Sequence, residues 1–523
     1  MIGKRFLQQF YLSFRLEVLL SFFAGAAAAL IFPPFTGMWQ GYVAFVLFLA
    51  LLLGKEHSKK ELFWLSYWFG FAFYAVGFIW INNALLIDDN KFAEYVPLVF
   101  MATGLFFGLF TGIPALAAAW GKNIYARGLL FCCAFVGFEW IRSFIFTGFP
   151  WNLLGTAFSF DPRLIQGAAH IGTYGLSFML LLLLCGAAFL LYGAVKRQFC
   201  AGALLFIFIP TIFLFWAAGT YQPAEQGEIT VRLVQPSIPQ TFKWHPALAY
   251  KNFRQYIDLS KSKPLDGVTM VVWGETASPY FLDRDDEHRQ EITEAIPNGG
   301  FLITGLLRAG IVNGEVVPYN SLFVLDKSGE VKDYYDKAHL VPFGEYLPFR
   351  AYLPDFMTPV ANVVGDLGQG EPFKNLQVQG LPLMGGAICY ESIFPKGVIN
   401  PKSKPEILLV LANDGWYGVS AGPYQHLAAA QMRAVEEGIT VIRSANTGIS
   451  AVILPNGDTI GGIGLNEEGV SDVVLPKVLA KDTMYGRYGN IVLLFLLLIG
   501  VGLAFGLNTL NSCLGKSDSK VAA

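Results

Sequence analysis

The stretch Leu383-Met384-Gly385-Gly386-Ala387-Ile388-Cys389-Tyr390-Glu391-Ser392 decides how the rest of this chain is read. An apolar run reaches two glycines and then delivers a cysteine where a buried strand would turn outward. Glycines at such a point let the backbone approach a ligand closely, and a thiol at a strand end is open to a substrate. The bland reading is a buried structural cysteine, the usual fate of a lone thiol. What surrounds the stretch decides between them.

The 523 residues are 54% hydrophobic and 15% charged, with a mean hydropathy of +0.47. Soluble domains carry roughly 25% charged residues, so this composition points to a membrane protein whose partner is lipid. A net charge of −2 offers no electrostatic case for nucleic acid. Cys132, Cys133, Cys185 and Cys200 lie in apolar stretches and Cys513 in the tail, leaving Cys389 alone in the polar half. Neither the cysteines nor the scattered histidines assemble a disulfide framework or a metal-ligand spacing. No metal and no cofactor is expected.

Upstream of the stretch, apolar segments near the roughly 20 residues of a spanning helix occupy 12–32, 38–54, 62–81, 96–120, 126–147, 172–194 and 200–219, and an eighth occupies 489–508. Lys4, Arg5 and Arg15 sit at the first span, Lys55, Lys59 and Lys60 after the second, Lys122 and Arg127 after the fourth, and Lys196 and Arg197 after the sixth. The opposite loops hold Asp88, Asp89 and Glu94 with only Lys91, or are nearly uncharged. Positive loops stay inside, so both termini are expected in the cytoplasm and everything between the seventh and eighth spans outside it. The expected domains are a bundle of seven helices over 1–220, a catalytic domain over 221–482, and an eighth helix with a short cytoplasmic tail over 483–523. Glu139 and Arg142 break the lipid pattern at helical spacing. They read either as a self-satisfying ion pair or as charges at membrane depth that mark a substrate path.

The extramembrane region is α/β. Strands are expected at Ile229–Val234, Thr269–Trp273, Phe301–Thr304, Ser321–Leu325, Leu383–Ile388, Ile407–Ala412, Thr440–Ser444 and Ala451–Leu454, with helices at Ala247–Ser260 and His426–Glu437. Short apolar strands alternating with helices suggest stacked sheets in a layered architecture. Three segments put a reactive side chain at or beyond a strand end: Glu275 in Trp273-Gly274-Glu275-Thr276, Lys337 in Tyr335-Asp336-Lys337-Ala338-His339, and Cys389. Acyl chemistry needs a nucleophile, a proton acceptor and a donor to the developing oxyanion. Cysteine, glutamate and lysine supply the three.

These motifs, with Asn413-Asp414-Gly415-Trp416-Tyr417-Gly418 and Arg443-Ser444-Ala445-Asn446-Thr447-Gly448, resemble the nitrilase (carbon–nitrogen hydrolase) superfamily. With the eight spans added, the whole chain resembles the bacterial apolipoprotein N-acyltransferase family. The resemblance implies an α-β-β-α sandwich inserted before the last helix of an eight-helix transmembrane bundle in the bacterial inner membrane, the sandwich being periplasmic. It implies a Glu275-Lys337-Cys389 triad working by ping-pong through a Cys389 thioester. The sn-1 acyl chain of a phospholipid, phosphatidylethanolamine by family habit, would pass to the α-amine of a lipoprotein's S-diacylglyceryl-cysteine. It also implies supporting roles for Glu345, Tyr390, Glu391, Trp244, Asn320, Trp416 and Arg142. Mobile loops are expected around Trp244, Phe343–Pro359 and Trp416–Pro423.

Overall fold

Twelve strands form two six-stranded sheets with the same internal plan. They are β1 (Gln226–Gln235), β2 (Met270–Val272), β3 (Phe301–Val312), β4 (Glu315–Asp326), β5 (Val331–Asp336), β6 (Asn375–Leu376), β7 (Met384–Ile388), β8 (Ile407–Ala412), β9 (Thr440–Ala445), β10 (Ser450–Ile453), β11 (Thr459–Ile463) and β12 (Gly469–Pro476). The orders are β12-β1-β2-β3-β4-β5 and β11-β10-β9-β8-β7-β6. The computed structural model describes residues 14–87, 92–196, 201–352, 354, 359 and 365–521. Lys4, Arg5, Asp88, Asp89, Lys91, Arg197, Cys200 and part of the expected Phe343–Pro359 loop lie outside them.

Side-chain alternation along the strands builds four layers. Val231, Leu233, Met270, Val272 and Ile303 of the first sheet face Ile388, Ile407, Leu409, Leu411 and Ile442 of the second in one buried cluster. The intervening residues Val271, Leu302 and Phe323 turn outward onto Phe253, Tyr256 and Ile257 of helix α1 (Ala249–Ser260). Those three recur at helical spacing, so one face of α1 is apolar. Leu408, Val410 and Val441 turn outward on the other side, onto Ala430 and Ala434 of helix α2 (Gly422–Glu437). The result is the expected α-β-β-α sandwich.

Each expected strand falls on one of the eight interior strands of the two sheets. The four unforeseen ones, β5, β6, β11 and β12, are the four sheet edges. Edge strands are half wet, and β11 reads Thr459-Ile460-Gly461-Gly462-Ile463 with only Ile463 buried, so the apolar run that marks an interior strand is missing. β3 and β4 also run further than expected. They meet across Asn313-Gly314, both at positive φ (52° and 85°), the pairing that a tight hairpin favours.

The chain divides into two units, Met1–Ile79 with Tyr95–Thr220 and Tyr488–Ala523, and Trp80–Glu94 with Tyr221–Arg487. The second therefore includes a segment, Trp80–Glu94, expected within the bundle. In the first unit, helices cover all eight expected segments, among them Phe14–Ala28, Lys59–Gly77, Ile124–Ile141, Ala168–Lys196 and Ile491–Val521. Ser58 caps Lys59–Gly77 in a reciprocal box with Glu61, and Asn123 caps Ile124–Ile141 through the amide of Ala126 at 2.9 Å. Aromatic stacking joins the helices, with Phe48 and Phe69 rings 3.8 Å apart. Six described helices are long and apolar enough to cross a membrane, and a seventh if Lys59–Gly77 is joined with Ile79–Leu86. The expected count of eight is not reached by length alone. Trp39–Leu53 has only 15 residues, a rise of about 22 Å against a hydrocarbon core of roughly 30 Å.

Glu139 and Arg142 do not pair. Glu139 accepts from the amide of Leu154 at 2.8 Å and Arg142 donates to the carbonyl of Trp151 at 2.8 Å, its guanidinium lying 5.1 Å from the Tyr74 ring centre. Two buried charges thus tie down the segment after their own helix, which satisfies backbone groups that lipid cannot.

Candidate active site

Cys389 follows β7 directly and opens the turn Cys389–Ile393 with φ of +52°. A cysteine in the left-handed region costs on the order of 1–3 kcal/mol, so its surroundings must hold it there. The backbone carbonyl of Cys389 accepts from the Ser392 hydroxyl at 3.0 Å, and His426 of α2 brings Nε2 to 3.0 Å from the same oxygen. His426 Nδ1 meets Asp414 Oδ1 at 2.7 Å, and the other oxygen of Asp414 accepts from Arg443 at 2.6 Å. All three are buried. Burial and then the Arg443 charge push His426 below its ordinary range and keep it neutral. Burial opposes ionisation of Asp414, yet Arg443 and His426 hold its carboxyl below the usual range.

Gly386 makes room inside the protein: a Cβ there would stand 2.8 Å from the Tyr335 ring. The expectation that this glycine admits a ligand is corrected; it admits the neighbouring sheet. Tyr335 in turn donates to Glu391 at 2.8 Å, and the same Glu391 oxygen accepts the amides of Ala338 and His339 at 2.9 and 2.8 Å. The second oxygen accepts the amide of Ile388 at 2.7 Å. Glu391 thus clamps the Lys337 loop to the end of β7, and its acceptors are filled by the protein.

Glu275 from the loop after β2 converges with Lys337 and Glu345, both from the loop after β5. Lys337 Nζ donates to Glu345 Oε1 at 2.8 Å and lies 3.8 Å from Glu275 Oε1. Asn320 of β4 donates to both carboxylates, at 2.7 Å to Glu275 and 3.1 Å to Glu345. The second Glu345 oxygen accepts the amide of Val341 at 2.8 Å. Burial alone would lower Lys337, but Glu345, Glu275 and Cys389 together raise it, so it stays an ammonium. Gly305 of β3 lets the Glu275 loop cross, since a Cβ there would stand 2.7 Å from the Glu275 backbone. Burial and the charge of Glu275 raise the Cys389 thiol, while Lys337 opposes them.

The structure thus brings together Cys389, Glu275, Lys337, Glu345, Asn320 and Glu391. Tyr390 is buried against His339 and Phe394, with ring centres 5.7 and 5.2 Å away. Trp244 and Trp416 are half-buried, Trp244 ending the short helix Gln240–Lys243 and Trp416 within the turn Asp414–Tyr417. Arg142 belongs to the other unit. Sequence reasoning missed Lys243, Tyr417, His426 and Arg443 as site residues. Lys243 is buried and donates to the Glu275 carbonyl at 2.8 Å. Desolvation lowers it to about 8 against the pull of Glu275 and Cys389. Its signal was its place beside Trp244; Tyr417 stands beside Trp416 in the Asn413–Gly418 motif and Arg443 opens the Arg443–Gly448 motif, whereas His426 gave no signal, because its role arises from packing.

Cys389, Asp414 and His426 offer ligand atoms within 4.8 Å of one another. Arg443 already neutralises the Asp414 carboxylate, and His426 faces the Cys389 carbonyl. A cation there would meet a guanidinium, so the trio is assigned to holding the strained cysteine.

Residues 24–188 match the family described as apolipoprotein N-acyltransferase N-terminal domain, and residues 230–484 match carbon-nitrogen hydrolase. An apolipoprotein N-acyltransferase of Brucella melitensis is 36% identical over 93% of this chain and 95% of its own. The chain belongs to the apolipoprotein N-acyltransferase family. Another apolipoprotein N-acyltransferase, from Rickettsia typhi, is 32% identical over 92% of this chain and 97% of its own. Among solved structures, an amidase from Nesterenkonia sp. aligns over 50% of this chain and 94% of its own, at 19% identity and a TM-score of 0.34. This family member carries both apolar helices and an α-β-β-α sandwich. It is an acyltransferase and a multi-pass bacterial membrane protein.

Proposed function

We propose that this chain transfers the sn-1 acyl chain of a phospholipid, phosphatidylethanolamine being the favoured donor, to the α-amine of a lipoprotein's S-diacylglyceryl-cysteine. The observation that carries the reading is the convergence of Glu275 and Lys337, 3.8 Å apart, in a site whose charges act on the Cys389 thiol. Glu275 takes the thiol proton, and the sulfur attacks the ester carbonyl. Lys337 and the amide of Tyr390 stabilise the oxyanion. The lysophospholipid leaves with the proton from Glu275. The acceptor amine then attacks the thioester, the amide forms, and the proton returns to sulfur. Glu345 and Asn320 hold Lys337 and Glu275 in register, and Glu391 fixes the loop between them.

Both substrates reside in the bilayer, which accounts for a hydrolase-type sandwich carried by apolar helices. With eight crossings, the positive loops at Lys55, Lys59, Lys60, Lys122, Arg127 and Lys196 leave both termini in the cytoplasm and the sandwich in the periplasm. Phe343, Phe349 and Val419 are exposed on the loops proposed to cover the site. Incubation with phospholipid followed by mass spectrometry tests the mechanism: wild-type protein acquires an acyl thioester on Cys389, and Cys389→Ala acquires none. Acyl transfer to a lipopeptide at the wild-type rate by Cys389→Ala overturns it. Release of free fatty acid with no N-acylated peptide makes the chain a hydrolase instead.

A further inference from the structure

Tyr417 ends the turn Asp414–Tyr417, beyond β8. Its hydroxyl lies 3.8 Å from Cys389 Sγ, within hydrogen-bond reach of sulfur. A second donor, the backbone amide of Asn413, also serves this sulfur. The tyrosine is seated by residues more than three hundred positions earlier in the chain. Asn83 donates to the Tyr417 carbonyl at 2.6 Å. The Trp80 ring packs edge-on against Tyr417 with centres 4.6 Å apart, and its indole N–H donates to Gln425 of α2 at 3.0 Å. A Cβ on Gly422 would press on the Trp80 ring at 3.0 Å, so the α2 backbone lies directly against it. Trp80 and Asn83 belong to the same unit as the sandwich.

The ionisable groups around the sulfur are Glu275 beyond β2, Lys337 beyond β5, Asp414 beyond β8, His426 of α2 and Lys243 of the 240–243 turn. Burial and Glu275 make a thiolate costly there. Burial also holds the Tyr417 phenol far above its ordinary range, so it keeps its proton and acts as a donor.

We propose that the Tyr417 hydroxyl is a further catalytic group, donating a hydrogen bond to the Cys389 sulfur whenever that atom is anionic, and that Trp80 and Asn83 position it. The inference rests on Cys389 being the nucleophile. Negative charge appears on sulfur twice. In acylation the S–H proton passes to Glu275, the C–S bond forms, the ester C–O bond breaks and the leaving alkoxide takes that proton. In transfer the C–N bond forms, the C–S bond breaks and sulfur departs with the electron pair, while Glu275 collects an amine proton and returns it to sulfur. A donor aimed at sulfur lowers the cost of the thiolate in both halves. Trp80, at the end of the third apolar segment, and Asn83, just beyond it, thereby position a catalytic group.

The test uses full-length protein in detergent. Cys389 alkylation by iodoacetamide is followed against pH by mass spectrometry of its peptide, and thioester formation and transfer to a lipopeptide are timed separately. Tyr417→Phe removes one oxygen and keeps the ring. It is expected to shift the alkylation profile to higher pH and to slow alkylation and both half-reactions about 10-fold. Asn83→Ala, which loosens the ring and keeps the hydroxyl, is expected to shift the profile the same way by less. An unchanged alkylation profile in Tyr417→Phe overturns the proposal, even if transfer slows, because a purely structural ring leaves the thiol's titration alone. The alkylation arm needs no acyl chemistry. A wild-type protein that forms no thioester on Cys389 therefore refutes the nucleophile reading separately, and removes the catalytic claim with it.

Discussion

Sheet one, read β12-β1-β2-β3-β4-β5, and sheet two, read β6-β7-β8-β9-β10-β11, pass through the same pairings: antiparallel, parallel, parallel, antiparallel, antiparallel. Their strand ends carry different loads. Sheet one delivers Glu275 and Lys337 beyond its strand ends and Asn320 from within β4, and with Glu345 these groups are held by side-chain hydrogen bonds. Sheet two delivers Cys389 in a strained conformation and uses its own charges, Asp414 and Arg443, to fix that geometry. In the proposed mechanism, one scaffold used twice thus separates proton and charge handling from the placing of the nucleophile. Glu391 and Tyr335 stitch the two ends together.

The separation predicts opposite phenotypes. Glu275→Gln keeps the shape of its side chain and is expected to lower thioester formation on the order of 10²–10⁴-fold, with the thermal midpoint little changed; a large fall in the midpoint breaks the comparison. Arg443→Met leaves Asp414 buried without its guanidinium and is expected to cost about 3–5 kcal/mol of stability, read from unfolding of the solubilised protein. Equal stability to wild type means that sheet two's charges do not hold the elbow.

Lys243 sharpens the comparison by pH. Its folded pKa, about 8, lies below its ordinary 10.5, so between these values the unfolded chain binds more protons and stability rises with pH. Relative to Lys243→Met, the wild type is expected to gain on the order of 2–3 kcal/mol from pH 8 to 10.5, measured by unfolding at stepped pH. Parallel curves for the two proteins contradict a buried ammonium at this position. The smallest effect is expected at the seam. Gly386→Ala pushes a methyl to 2.8 Å from the Tyr335 ring and is expected to cost about 1–3 kcal/mol. The thioester rate then reports whether the Glu391 clamp transmits the shift to Lys337.

Much of this was legible in the chain. Interior strands are covered by a sheet on one face and a helix on the other, so they are apolar throughout, as in Ile407–Ala412, and their sequence alone marks them. Glu275 and Cys389 lie just beyond such runs, which is why they stood out, whereas Lys337 follows the edge strand β5 and was marked by its motif. Edge strands were hidden because their wet face interrupts the pattern. The Asn313-Gly314 pair carries a local turn signature that the β3–β4 hairpin uses. Asp414, His426 and Arg443 could not be read as one unit: they come from β8, α2 and β9, and only packing puts Asp414 within 2.7 Å of His426.

The apolar helices, the layered sandwich, the family and the candidate residues for acyl transfer are legible in the chain itself. These follow from side-chain chemistry and from hydrophobic runs local to the chain. That Glu391 and Gly386 serve the protein's own seam, that Arg443 and His426 steady the cysteine, and that Trp80 and Asn83 seat Tyr417 beside it emerges from packing alone. Those roles depend on distances between residues remote in sequence, and local preference does not encode them.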